Sequence, residues 1–221
     1  MDTATAVWTF ALVVGLLTLT PGLDTALILR TAALGRRREA WGVVLGIQAG
    51  TLLWGTASSL GVSELLKTSQ TAYTVLRIAG AAYLVWMGAR MLRGSLKRNA
   101  GGGADSVDGA PGAAAVLGGA GDRGVPAGLR RGVTTNLLNP KIGVFYVAVL
   151  PQFIPAHAPH LAMGLLLTGV HVLEGLVWST VLVAFAGVLR GWLQRPVARR
   201  VLDRVTGAVI VAFGLRLAIG D

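Results

Sequence analysis

The stretch Thr20-Pro21-Gly22-Leu23-Asp24 interrupts the first long apolar segment of the chain, and Asn139-Pro140-Lys141 interrupts another in the second half. A proline inside a helix removes a backbone donor and clashes with the preceding turn, so each stretch is expected to break its helix. In a bilayer, such breaks are tolerated only where protein or a water-filled cavity satisfies the freed backbone groups. Each break also carries an ionisable residue, which is costly at membrane depth and usually functional. Two broken segments in corresponding positions indicate a transport site.

Composition places the chain among integral membrane proteins. Its 221 residues are 53% hydrophobic and only 14% charged, a balance that a soluble domain does not need. The formal net charge is +10, but the basic residues lie between apolar segments and lack the interleaved aromatic residues of single-strand binders. We therefore expect contact with a lipid bilayer and none with nucleic acid. The sequence contains no cysteine, which excludes thiolate metal sites and dithiol redox chemistry, and we expect no metal and no cofactor.

Six segments are apolar and long enough to cross a bilayer, which takes about 20 residues. They are residues 6–29, 40–62, 71–92, 133–154, 161–189 and 202–219. The fourth qualifies only if Asn139 and Lys141 face protein or water. The sequence therefore predicts an all-α integral membrane protein of six transmembrane helices.

The basic residues predict the orientation of these spans. The first, third and fifth connections are rich in arginine, whereas the fourth, residues 155–160, has neither lysine nor arginine. Loops that carry the excess of basic residues lie in the cytoplasm. We therefore expect a multi-pass protein of the cytoplasmic membrane with both termini outside.

The two halves of the chain resemble each other in three ordered blocks. Thr20-Pro21-Gly22 pairs with Asn139-Pro140-Lys141, and residues 46–51 pair with 169–174. The third block is the third span of each half, in which residues 79–84 and 88–90 pair with 206–211 and 214–216. Each half has three spans, an odd number, so the second half enters the membrane from the opposite side and forms an inverted-topology repeat. Chance similarity among helices rich in glycine and alanine is the alternative.

This repeat predicts three regions. Residues 1–98 form the first three-helix repeat, and residues 130–221 form the second. Residues 99–129, rich in glycine and alanine with little periodicity, are expected to form a flexible cytoplasmic linker. The first helix of each repeat is the broken one.

Several short motifs follow one another in a characteristic order: Thr20-Pro21-Gly22-Leu23-Asp24, Gly35 with its arginine cluster, Gly46, the block 80–90, and Asn139-Pro140-Lys141 with Leu150-Pro151-Gln152-Phe153. Together they resemble the LysE/RhtB family of amino-acid exporters over nearly the whole chain except the linker. Members of that family usually carry a second proline where this chain has Leu23. The resemblance implies efflux of amino acids or related small zwitterionic metabolites, driven by the proton motive force with the proton as coupling ion.

Asp24 and Lys141 are the candidate charged residues of the site. An ionised Asp24 could hold a substrate ammonium group, and a protonated one could carry the coupling proton. The alternatives are a structural pair with Lys141 or an N-cap of the helix that restarts after Pro21. Lys141 could attract a substrate carboxylate at a helix N-terminus, pair with Asp24, or extend to the membrane interface.

The remaining candidates for substrate binding or coupling are Pro21, Gly22, Gln48, Asn139, Pro140, His171 and Glu174. The prolines and Gly22 free backbone groups at the breaks. Gln48 and Asn139 offer neutral donors and acceptors, although hydrogen bonding between helices is an equal alternative. His171 and Glu174 are three residues apart and share a helix face; they could relay protons or simply form a polar stripe.

Two other classes of function compete with export. An intramembrane hydrolase would need a Ser–His, paired-Asp or HExxH constellation, and the sequence shows none with suitable spacing, so we assign no catalytic residues and expect no enzyme. A channel or an efflux protein for another small solute or ion is the stronger alternative, although a channel usually shows rings of charge or a filter loop. Two similar halves can form a site within a monomer, while a homodimer remains open.

Overall fold

The computed structural model describes residues 2–97, 124–155, 157–193 and 195–219, and these residues form helices joined by short breaks. The helices are α1 (Thr3–Leu19), α2 (Leu23–Ala33), α3 (Arg37–Thr68), α4 (Gln70–Lys97), α5 (Val125–Leu137), α6 (Pro140–Val144), α7 (His160–Ala184), α8 (Ala186–Leu193) and α9 (Pro196–Ile219). After α6 the chain continues as a π-helical turn, Phe145–Val149, and a 3₁₀ turn, Leu150–Phe153. The prediction of an all-α protein is confirmed for the described residues.

Both predicted helix breaks are present. Helices α1 and α2 meet at 53°, and α5 meets the helical segment that begins at Pro140 at 55°. At the second break, Pro140 occupies the first helical position, where its missing N–H costs nothing, and the Asn139 side chain accepts a hydrogen bond from the Lys141 backbone N–H at 3.1 Å. At the first break, the N-cap Gly22 offers no side chain. The first turn of α2 therefore keeps uncapped backbone donors.

The six predicted spans are not equally supported by the length and hydropathy of the helices. Residues Arg37–Gly61 of α3 and His160–Ala184 of α7 are long and apolar enough to cross a bilayer alone, and each bent pair adds one further candidate span. Within the described residues, α4 and α9 do not reach that standard, so the third and sixth spans stay predictions. The fifth predicted segment was too long, because α7 ends before Phe185 and α8 begins afterwards.

The predicted linker, residues 99–129, extends too far at its C-terminal end. Helix α5 begins at Val125, and Ala127 and Gly128 are buried. The glycine and alanine content that suggested a flexible segment here instead serves close helix packing. The rest of the linker, up to residue 123, lies outside the described residues.

Helices α3 and α5 pack through glycines spaced four residues apart. Gly42 and Gly46 of α3 face Gly128 and Gly132 of α5, and a Cβ added to any of these four would contact backbone atoms of the opposite helix. Residues four apart lie on one helix face, and small residues there let two backbones approach closely. One turn further, Gly50 of α3 contacts the side chain of Asn136. The glycine contact therefore seats Asn136 against α3.

Two apolar clusters form the core, one on each side of the helix breaks. The first cluster joins α1, the segment after Pro140 and the first half of α7, and includes Phe10, Phe145 and Phe153. The second joins α2, the start of α3 and the end of α7, and includes Ile28 and Leu182. Buried polar residues form a layer between the two apolar clusters: Thr20, Gln48, Thr51, Asn136, Asn139 and His171. The breaks and this polar layer coincide.

Candidate transport site

A cavity of about 60 Å³ lies at the level of the two helix breaks. Polar side chains from both halves of the chain line it: Thr18, Thr20, Asp24, Thr25, Gln48, Thr51, Asn136, Asn139, Lys141, His171, Trp178 and Ser179. Gly22 also lines the cavity. The two breaks, more than 110 residues apart in the sequence, therefore meet at one polar site, as the matched motifs led us to expect.

Asp24 presents one satisfied and one unsatisfied carboxylate oxygen. Its Oδ2 accepts a hydrogen bond from Asn136 Nδ2 at 3.0 Å. Its Oδ1 is buried, and no described residue hydrogen-bonds to it. The N-cap interpretation of Asp24 is wrong, because Gly22 is the N-cap and Asp24 is the second residue of α2. A buried acceptor without a partner is costly, so the Oδ1 atom is suited to a ligand donor.

Lys141 connects the two breaks. Its ammonium donates to the carbonyl oxygens of Leu17 at 2.8 Å and Thr20 at 3.3 Å, at the C-terminal end of α1, where the helix dipole attracts a cation. The Lys141 ammonium is therefore held at the first break. Lys141 lines the same cavity as Asp24, so the structural pair of these two residues stays a prediction.

His171 has a different partner from the one expected. Its Nδ1 lies 2.9 Å from the hydroxyl of Tyr146, and the two rings stack with centroids 5.7 Å apart at 15°. Tyr146 is fully buried in the π-helical turn, a kind of helix irregularity that is frequent at functional sites. The Glu174 side chain instead approaches Gly15 of α1, and its Oε2 has no hydrogen-bond partner among the described residues. A direct His171–Glu174 hydrogen bond is therefore not formed.

Comparison with known proteins identifies the class of molecule that contains this site. The family model of the LysE type translocator matches residues 15–221. The chain belongs to the LysE-type translocator family. The family resemblance read from the sequence motifs is thus confirmed, and membrane transport with amino-acid export is the activity of this family's efflux proteins.

Individual relatives cover nearly the full length of the translocator. The threonine efflux protein of Escherichia coli is 30% identical over 91% of each chain. The homoserine/homoserine lactone efflux protein of Salmonella typhimurium is 30% identical over 96% of each. The leucine efflux protein of Klebsiella pneumoniae is 29% identical over 90% of this chain and 88% of the relative. No solved structure matches the translocator significantly.

The other predicted residues divide between the cavity and its surroundings. Gln48 lines the cavity and lies against Gly175 of α7, whose absent side chain leaves room for the amide. Asn139 lines the cavity as well. Pro140 lines a neighbouring apolar groove instead, and Pro21, which is half-buried, is not among the cavity residues. The two prolines therefore shape the site through the backbone.

Sequence reasoning missed several cavity residues, above all Asn136 and Trp178. Asn136 is fully buried and also donates to Thr51 Oγ1 at 3.3 Å. The indole Nε1 of Trp178 is buried and has no hydrogen-bond partner within the described part of the translocator. Trp178 lies seven residues after His171 and thus on the same helix face, a spacing that offered a signal. An asparagine inside an apolar span, three residues before Asn139, was the signal for Asn136.

Proposed function

We propose that this translocator is a secondary active exporter of amino acids or related small zwitterionic metabolites across the cytoplasmic membrane. The observation that carries the proposal is the meeting of both helix breaks at one buried polar cavity. A zwitterion presents a cation and an anion a few ångströms apart, and the cavity offers complementary groups for each. Its relatives are named for the efflux of threonine, homoserine and leucine, which are zwitterionic amino acids of this kind.

The ammonium end of the substrate binds Asp24 in this proposal. The Oδ1 atom is a buried acceptor with no hydrogen-bond partner among the described residues, while Asn136 fixes the other oxygen from α5. The hydroxyl of Thr18, also buried and without a hydrogen-bond partner among the described residues, lines the same cavity. A hydrogen bond to an ionised group contributes about 1.5–3 kcal/mol, so this end supplies much of the binding energy.

The carboxylate end binds donors at the start of α2 and on α7 in this proposal. Helix α2 starts at Leu23 without a side-chain cap, so its first N–H groups and its dipole favour an anion. The Trp178 Nε1 is a further buried donor at the cavity. Lys141 contributes positive charge from the second break. Discontinuous helices bind anionic substrate groups in this way in other transporter folds.

Proton coupling follows from the same groups. Asp24, His171 and Glu174 are the titratable side chains in or beside the cavity that we propose for the coupling proton. Tyr146 positions the His171 ring through its hydrogen bond to Nδ1. Because the proton motive force directs protons inward, one of these groups binds a proton from outside as substrate leaves.

The architecture that we propose for this mechanism is an inverted repeat of two three-helix units with both termini outside. The nearly equal bends of the two broken helices, 53° and 55°, support the repeat. Both halves contribute to one cavity, so a monomer is sufficient for the site that we propose.

Efflux from cells preloaded with radiolabelled amino acids tests the proposal. We expect cells that produce the translocator to release at least one of threonine, homoserine and leucine faster than cells without it, and a protonophore to abolish the difference. Unchanged release of all tested amino acids, with the protein present in the membrane, would overturn the exporter proposal. Release that persists in the protonophore would overturn proton coupling alone.

A further inference from the structure

We propose that a second pocket, beside the polar cavity, binds the side chain of the exported amino acid and selects large aliphatic side chains. This pocket is an apolar groove of about 410 Å³ between α4 and the segment that follows the second break. The inference rests on the proposed export function, and it adds the substrate class. It predicts an exporter that prefers leucine-like amino acids to alanine.

The size of the polar cavity requires a second pocket for any substrate with a bulky side chain. About 60 Å³ holds only a handful of water molecules at roughly 10–15 Å³ each. The backbone part of an amino acid has five heavy atoms and fits such a space, whereas a leucine side chain adds four more. The groove has the volume of a small-molecule pocket, for which about 300–1,000 Å³ is typical.

The second helix break joins the two spaces. Asn139 lines both the polar cavity and the groove, while its neighbour Pro140 lines the groove alone. Only two residues, Leu138 and Asn139, separate α5 from α6 at this break, and both line the groove. In this proposal, a ligand whose polar end occupies the cavity places its side chain past Asn139, the residue that lines both spaces, toward the groove.

The lining of the groove matches an aliphatic group. Its walls include Ala79 and Gly80 of α4 and Gly143, Val147 and Ala148 after the break. The Trp54 ring covers Gly143, where an added Cβ would lie 2.9 Å from the ring. An added Cβ at Gly80 would likewise contact Ala148, so the two glycines let the groove walls pack closely. The short side chain of the exposed Ala79 leaves room in the groove. A pocket that fits one aliphatic chain discriminates by about 10-fold or more against a substrate that lacks a methylene group.

Filling the groove tests this assignment. Ala79→Leu introduces a larger side chain at an exposed residue that lines the groove. Ala82→Leu is the matched control, since Ala82 is also an exposed alanine of α4 but lines a different surface pocket. We expect Ala79→Leu to lower the ratio of leucine to alanine efflux about 10-fold, and Ala82→Leu to leave that ratio at its wild-type value.

Enlarging the groove gives a second test that does not depend on how Ala79→Leu folds. Val147→Ala removes volume from the opposite wall, and we expect it to raise phenylalanine efflux relative to leucine. An unchanged ratio in either accumulating variant would overturn the assignment and leave the groove to lipid acyl chains. A wild-type protein that exports alanine or threonine but not leucine would also overturn it without affecting the export proposal. Failure to export any amino acid would overturn the export function instead.

Discussion

A single methyl group at Gly46 is expected to separate α3 from α5. A Cβ at this position would contact the carbonyl oxygen of Leu129 and lie 2.8 Å from the amide nitrogen of Val133. Both atoms belong to the backbone of α5 and cannot rotate away, so the helices must move apart. Such overpacking costs about 1–3 kcal/mol. A glycine-to-alanine change inside a helix by itself contributes about 1 kcal/mol of stability.

Gly169→Ala is the matched control for Gly46→Ala. Gly169 lies inside α7, and nothing lies within 4 Å of its Cβ position. Both variants gain the higher helix propensity of alanine, but only in Gly46→Ala does the new Cβ clash with backbone atoms of α5. Their free energies of unfolding should therefore differ by about 1–3 kcal/mol. For a chain of this length, that difference corresponds to roughly 2–12 °C in Tm.

Thermal unfolding of the two purified variants in the same detergent measures this difference. We expect Gly46→Ala to melt below Gly169→Ala, and Gly169→Ala to melt at or above the wild-type temperature. Equal melting temperatures for the two variants would refute the reasoning that backbone contact between α3 and α5 holds the site together.

Three further outcomes are expected. Arg131→Gln should destabilise the protein by about 1–3 kcal/mol in the same melting assay, because Glu39, only 2% exposed, loses the partner at 2.6 Å and keeps, among the described residues, only Arg36 at 3.7 Å; adding Glu39→Gln should restore most of that loss. Tyr146→Phe should keep membrane abundance but alter the pH profile of export, since it removes the hydrogen bond that holds His171; an unchanged profile would exclude a positioning role. A reporter fused within residues 99–123 should indicate the cytoplasm, and a periplasmic signal would contradict the orientation and the inverted repeat together.

The helix breaks could be predicted from the sequence because proline acts locally. Pro21 and Pro140 disrupt the turn that precedes them whatever surrounds them, and both bends are found where the motifs stand. The start of α5 could not be predicted in this way. Gly128 fell within the predicted linker, and only the facing glycines of α3 show that Gly128 and Gly132 form a packing surface.

The partners of the charged residues also lay beyond sequence reasoning. Asp24 binds Asn136, 112 residues away, and Lys141 binds backbone carbonyls of α1, which no side-chain pattern encodes. His171 pairs with Tyr146 rather than with Glu174 on its own helix. In each case the type of residue indicated a buried polar function, but the partner depends on how the two halves of the chain pack.

The export rate of Asp24→Asn tests the central claim, that the carboxylate at the meeting of the two breaks binds the substrate. The change keeps the size of the side chain and deletes the anion. Asp2→Asn is the matched control, since Asp2 is exposed and caps α1 through Thr5 N–H at 2.7 Å, a role that asparagine fills equally well.

Initial efflux of the best-exported amino acid is measured for both variants at equal abundance in the membrane. Loss of a charge-assisted contact of about 1.5–3 kcal/mol predicts at least a 10-fold slower export for Asp24→Asn and a wild-type rate for Asp2→Asn. A wild-type rate for Asp24→Asn would contradict the claim and leave substrate binding to other groups, such as His171 and Glu174.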